Sequence, residues 1–204
     1  MHIFPKTNSM LSDLPLADAT EFLKQNVSRR RFIHSLRVAE TARGLAEHHG
    51  EDASHSYFAG LCHDFAREWT ESSLMETASR DGKPFSSLEL QRPMLLHGRA
   101  AAVILSEQFS FSLHSVLDAI RYHTLGIPGI GGVGKILYIA DYIEPGRNAI
   151  SSQFRAQISG YSLNEAVLAV IDHAVGHGKK IAEMTQAMYD ELRMGYVSGE
   201  TSKI

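Results

Sequence analysis

Phe58-Ala59-Gly60-Leu61-Cys62-His63-Asp64-Phe65-Ala66-Arg67 places an adjacent imidazole and carboxylate inside an otherwise apolar run. The run reads as a core helix, capped by Asp52 and extending from about residue 52 to 67. A His-Asp pair excluded from water is costly unless something satisfies both groups. A divalent metal does so, because neutral imidazole and carboxylate both ligate Fe, Mn or Zn. Neighbours on a helix project about 100° apart, so both reach one ion only at the edge of the helix face. A buried His hydrogen-bonded to its own Asp satisfies the same residues without metal. The rest of the chain has to decide.

Upstream, Ser28 caps a helix over about residues 29–49 that Gly50 stops. Its apolar stripe is Ile33, Leu36, Ala39, Ala42, Leu45 and Ala46, with His34 at the border. Arg29-Arg30-Arg31 opens this helix against its dipole and reads as a solvated turn rather than an anion-attracting rim. A short amphipathic helix over 14–23 precedes it, after a loose leader. Downstream, a short helix over about 71–79 is broken at Asp81-Gly82-Lys83-Pro84, and 85–96 reads as irregular. A helix then starts at Leu96-His97-Gly98, and another, capped by Ser112, ends at His123-Thr124. The glycine-rich stretch 126–134 reads as a flexible turn, since it lacks the Gly-Lys-Ser/Thr ending of a phosphate-binding loop. Residues 135–143 are helical around Asp141, and Glu144-Pro145-Gly146 ends them. The box Ser162-Leu163-Asn164-Glu165 opens a last helix to about residue 194, weakest at Gly176 or Gly178, before a polar, mobile tail. With no β alternation the expectation is an all-α, single-domain bundle: a leader and short helix over 1–27, the domain over 28–180, and a helix end and tail over 181–204.

A chain of 204 residues suffices for one real core. The net charge of −3 argues against nucleic-acid binding through a broad basic surface. No apolar run of about 18 residues suggests a membrane helix, and residues 1–6 do not read as a signal peptide. Cys62 is the single cysteine, which fits a reducing, cytoplasmic setting and a buried apolar role.

Among eleven histidines, His2, His48, His49, His55 and His114 lie in the leader, at a helix end or on polar faces and read as surface groups. His173 and His177 have ligand-competent i, i+4 spacing but only Asp172 beside them, so they are set aside. His34, His63, Asp64, His97, His123 and Asp141 remain, each in or at the end of an apolar segment. Six such groups entering one helical core are expensive unless they surround metal. Two ions about 3.5–4 Å apart, bridged by a carboxylate and a water, use all six and leave room for substrate.

The order His34 … His63-Asp64 … Asp141 resembles the HD superfamily of metal-dependent phosphohydrolases. The phrases His34-Ser35-Leu36-Arg37-Val38-Ala39, Ala59 to Arg67, Leu96-His97-Gly98, Ile120-Arg121-Tyr122-His123-Thr124 and Tyr138 to Arg147 are similar to the YqeK-type symmetrical bis(5′-nucleosyl)-tetraphosphatases. That resemblance, over roughly residues 28–180, implies cleavage of diadenosine tetraphosphate into two ADP at a dinuclear, iron-containing centre in a helical domain. It implies His34, His63, Asp64 and Asp141 at one metal, with Asp64 bridging, and His97 and His123 at the second. Manganese, cobalt, nickel or zinc suit the same donors. Arg67 stands where the family more often has Lys; it keeps the charge but is a poorer proton donor. The glycine-rich stretch also departs from the family's more helical continuation.

On this reading a metal-activated water attacks phosphorus, with Asp64 and Arg67 as the catalytic pair of residues and Arg67, Arg121 and Arg147 as phosphate-binding cations. Arg37 has a weaker claim, and Glu144 orients Arg147 or a ligand histidine. Tyr122, Tyr142 and Trp69 are candidates for stacking on a base. The rivals are an HD hydrolase of deoxynucleoside phosphates or cyclic dinucleotides, a silent nucleotide-binding HD module, and a metal-free helical adaptor. The last helix either covers the core or forms a homodimer interface.

Overall fold

A computed structural model describes residues 14–200, which form eleven α-helices and one 3-10 turn with no strand among them. In order these are α1 (Leu16–Asn26), α2 (Arg29–His49), α3 (Ala53–Cys62), α4 (Glu71–Ser79) and α5 (Ser87–Gln91). The 3-10 turn Pro93–Leu96 runs directly into α6 (His97–Gln108), followed by α7 (His114–Tyr122) and α8 (Gly132–Ile143). Then come α9 (Ser152–Ile158), α10 (Leu163–Gly176) and α11 (Glu183–Glu200). The all-α expectation holds. The leader and the last four residues lie outside the described residues.

Helix α3 runs through the middle, packed on α2, α7 and α8, while α6 packs on α7 and α4 on α6. That position explains why the second half of α3 is apolar on every side: Phe58 to Cys62 are all buried, as are Phe65 and Ala66 just beyond. Phe58, Leu61 and Phe65 are each fully buried, worth about 1.5–3 kcal/mol apiece relative to exposure. Two glycines set the close approaches. A Cβ on Gly60 would lie 2.7 Å from Ala39 Cα, so α3 meets α2 backbone to backbone. A Cβ on Gly98 would lie 2.6 Å from Ile120 O and 3.0 Å from His123 Nδ1, which draws the start of α6 onto the end of α7.

Several boundaries differ from expectation, each for a local reason. Helix α3 stops at Cys62, so His63 and Asp64 sit in a tight turn closed by Phe65 N–H to Cys62 O (3.1 Å) and Arg67 N–H to Asp64 O (3.0 Å). Along α2 the buried face carries His34, Ser35, Val38, Ala39 and Ala42, while Ile33 faces solvent. His34 is therefore inside the stripe, not at its border. The 85–96 stretch is ordered by a capping box, Ser86 with Glu89, that starts α5. Ser112 does not cap α7, which begins at His114 without a side-chain cap. Helix α8 begins at Gly132, inside the expected loop; the Glu51 carboxylate lies where a Gly132 Cβ would go, at the positive end of the helix. The last helix divides into α10 and α11 near Gly178, whose φ is +82°. Residues 195–200, read as tail, continue α11, which places Met188 and Leu192 in the common core.

Candidate metal centre

The turn after α3 tightens through i+3 hydrogen bonds, and this aims both His63 and Asp64 at one point. Asp64 Oδ2 lies 3.2 Å from His63 Nε2 and 3.6 Å from His34 Nε2, while its Oδ1 lies 3.3 Å from His97 Nε2. Asp141, two residues before the end of α8, lies 3.1 Å from His34 Nε2 and 3.9 Å from His63 Nε2. His97 at the start of α6 and His123 at the end of α7 bring their Nε2 atoms within 3.0 Å of each other. All six residues singled out in the sequence converge, from five helical segments.

Each ring is fixed by its other nitrogen. Nδ1–H donates to Gly60 O from His63 (2.7 Å), to Met94 O from His97 (2.7 Å) and to Ile120 O from His123 (2.8 Å). His34 Nδ1 pairs with Glu144 Oε1 at 3.1 Å. That tautomer leaves four Nε2 lone pairs pointing inward. The Nε2 atoms of His34 and His63 are buried without a hydrogen-bond partner. Such orphaned acceptors cost free energy unless a cation takes them up. Four imidazole nitrogens and two carboxylates suit Fe, Mn, Co, Ni or Zn, so the residues fit a divalent metal centre.

The electrostatics agree. Burial would raise the Asp64 carboxyl, but His63 and His97 hold it well below the usual carboxylate range. Asp141 is likewise held low against burial, by His34, His63 and Arg147. Burial lowers His123 to about 3, helped by the His97 and His63 rings, so it is neutral and ligand-ready at any physiological pH. His63 goes the other way: burial would lower it, and Asp64 more than reverses that.

A shell of cations surrounds one side. Arg31 Nη1 donates to Asp64 Oδ2 at 2.7 Å, which corrects the reading of Arg29-Arg30-Arg31 as a merely solvated turn. Arg29 and Arg30 are exposed, but the third member of the run points into the centre. Arg147 Nη2 donates to Asp141 Oδ1 at 2.5 Å. Glu144 does orient a histidine, and its other oxygen accepts from Arg37 Nε at 2.6 Å. A Cβ at Gly146 would collide with the Arg37 guanidinium, so the Pro145-Gly146 turn leaves space for that pair. Arg155, which the sequence did not suggest, pins the same turn by donating to the carbonyls of Ile143, Glu144, Arg147 and Ile150.

Arg67 follows Asp64 by three residues and is half-buried; its guanidinium makes no ion pair among the described residues. Arg121 pairs with Asp118 and stands 3.7 Å from Asp81, beside a cavity next to His123. His173 and His177 lie apart from the centre, with stacked rings and His173 Nδ1 on the Tyr142 hydroxyl at 3.0 Å. Tyr142 belongs to that aromatic group, Trp69 packs on the core, and Tyr122 lines the cavity.

Comparison with known proteins gives a consistent result. The HD-domain family profile matches residues 31–146, which span every convergent residue. A symmetrical bis(5′-nucleosyl)-tetraphosphatase of Bacillus subtilis is 31% identical over 158 residues, covering 78% of this chain and 84% of its own. Its counterpart from Staphylococcus aureus is 37% identical over 129 residues, or 63% of this chain and 66% of the other. A crystal structure from Clostridium acetobutylicum, described as a predicted HD superfamily hydrolase involved in NAD metabolism, superposes with a TM-score of 0.78 at 30% identity. It covers 88% of this chain and 97% of its own.

Proposed function

The chain belongs to the HD-domain family and, within it, to the symmetrical bis(5′-nucleosyl)-tetraphosphatases, and from that premise we propose that it hydrolyses diadenosine tetraphosphate to two molecules of ADP in a metal-dependent reaction. The observation that carries the proposal is the convergence of four inward Nε2 atoms and two carboxylates, two of those nitrogens buried and unpartnered.

His34, His63, Asp64 and Asp141 would hold one divalent ion, and His97 and His123 with Asp64 would hold a second. Asp64 supports a bridging role because its two oxygens face different histidines. Iron is the expected metal, with Mn, Co, Ni and Zn fitting the same donors. Bound ions at such a centre activate water near neutral pH and neutralise polyphosphate charge. The protein's own groups do the rest. Glu144 and three backbone carbonyls hold the imidazoles in the ligating tautomer before substrate arrives. Arg67, Arg121 and Arg147 bind non-bridging phosphate oxygens, where charge develops as the anhydride breaks. Arg67 contributes charge, since a guanidinium does not give up its proton. Arg31, already on Asp64, joins this set as a fourth cation.

The catalytic unit is residues 28–180. A cytoplasmic setting belongs to the same reading, given a nucleotide substrate and a lone thiol that is buried and unreactive. No helix among the described residues is long and apolar enough to cross a membrane.

Anaerobic purification, metal quantification and chromatography of the products test the assignment. The expected result is about two metals per chain and ADP as sole nucleotide product of diadenosine tetraphosphate. Release of AMP with ATP, or no turnover with metal bound, defeats it.

A further inference from the structure

A cavity of about 270 Å³ opens beside the His97–His123 pair. Its walls include Phe85 from the segment before α5, Arg121, Tyr122 and Thr124 from the end of α7, Ile127 beyond it, and Met184 from α11. Thr124 joins the cavity to the centre: its Oγ1 lies 3.1 Å from His123 Nε2 and 3.5 Å from His97 Nε2. Arg121 lines the same wall, its guanidinium paired with Asp118 and its Nε 3.7 Å from Asp81.

The Phe85 wall is built on an unusual support. The Arg99 guanidinium lies 4.9 Å from the Phe85 ring centroid, occupying one side of the ring. Its side chain is only 5% exposed, and all five of its N–H donors are used. Nε and Nη2 bind Asp81 (2.9 and 2.7 Å), Nη1 binds Glu89 and Pro84 O, and Nη2 also binds Lys83 O at 2.7 Å. A buried arginine is expensive unless fully paired. This one is paired entirely with the 81–89 segment, and what that pairing fixes is an aromatic wall facing an apolar cavity.

We propose that this cavity is the subsite for one nucleoside of the dinucleotide, with the base against Phe85 and Arg121 contacting the phosphate chain between base and metals. Aromatic rings hold bases by stacking whatever the base's hydrogen-bonding edge, and a rigid ring loses little freedom in doing so. Thr124 carries the path from cavity to centre, so a base held here delivers its phosphates to the side occupied by His97 and His123. The inference rests on the hydrolase reading and deepens it by locating a base-binding pocket.

The test is titration calorimetry of metal-loaded enzyme with ADP and, separately, inorganic pyrophosphate, for wild type, Phe85→Ala and Phe85→Trp. The subsite predicts about a tenfold or greater loss of ADP affinity in Phe85→Ala, pyrophosphate affinity within twofold of wild type, and ADP affinity restored in Phe85→Trp. Phe85 is only half-buried, so both variants are expected to fold. Met184→Trp, which fills the cavity from α11, should reproduce the selective loss for ADP. ADP affinity unchanged in Phe85→Ala, or ADP and pyrophosphate weakened by the same factor, overturns the proposal. Phe85-dependent ADP binding in an enzyme that releases no ADP from diadenosine tetraphosphate upholds the pocket and defeats the hydrolase reading instead.

Discussion

On one side of Asp64, His34 and Asp141 lie among arginines; on the other, His97 and His123 face each other across 3.0 Å. The first side is balanced as it stands: Arg31 pairs with Asp64, Arg147 with Asp141 and Arg37 with Glu144, at 2.5–2.7 Å. On the second side, Asp64 is the one carboxylate within 4 Å of either ring among the described residues. Both rings donate Nδ1–H to backbone carbonyls, and Thr124 Oγ1 stands by their Nε2 atoms. The difference teaches that one half of the centre holds two carboxylates and two buried imidazole nitrogens without partners, while the other has two facing imidazoles and only the shared carboxylate. A first metal should therefore go to the carboxylate-rich His34 half, and the second to the His97 half more weakly.

Asp64 is common to both halves, so Asp64→Ala should erase the distinction. Activity is expected to fall by more than about 1,000-fold, with loss of bound metal from both positions, measured by turnover and elemental analysis. Retained turnover would defeat the mechanism. His123→Ala sharpens the comparison: about one of two metals should remain, with activity down roughly 100-fold. His34→Ala should instead cost the tighter site. If the two variants lose metal equally, the ranking of the halves is wrong.

Arg31→Ala asks whether ion pairing supports the first half without metal. Removing the partner of a buried carboxylate costs about 3–5 kcal/mol in full burial, and less here because Arg31 reaches the surface. The thermal midpoint should drop in chelator-treated protein and much less in metal-loaded protein. An equal drop in both would mean that Arg31 only packs.

Acid should expose the second half. Burial and its neighbouring imidazoles lower His123 to about 3, so on unfolding it takes up a proton below about pH 6.5 that the folded chain refuses. Metal-free stability should fall as pH drops from about 6.5 toward 3, by about 1.4 kcal/mol per pH unit for that proton. His63, raised by Asp64, acts oppositely: its contribution is complete below about pH 6.5 and is lost as pH rises through its folded value. Urea unfolding across pH, with and without His123→Ala, reads the acid limb. The smallest effect is expected from His173→Ala, outside both halves: metal content and turnover within about twofold of wild type.

Much of this molecule was legible beforehand. The helical periods, the caps at Ser28, Asp52 and Ser162, and the apolar settings of His34, His63, His97, His123 and Asp141 are local signals, and local signals survive folding. The turn after Cys62 was missed because an apolar run looks the same whether it stays helical or tightens. Arg31 was missed because a charge cluster at a helix start gives no sign of which member turns inward. Asp81 looked like a breaker, and only its burial against Arg99 shows it anchoring a wall.

The sequence by itself determined the helical class and the six metal-competent groups, because helical period and polar groups set in apolar segments are both written locally along the chain. Only the tertiary structure decided which cations face which carboxylates and where the cavity opens, because those depend on close approaches such as Gly60 on Ala39 and Gly98 on Ile120, between residues far apart along the chain.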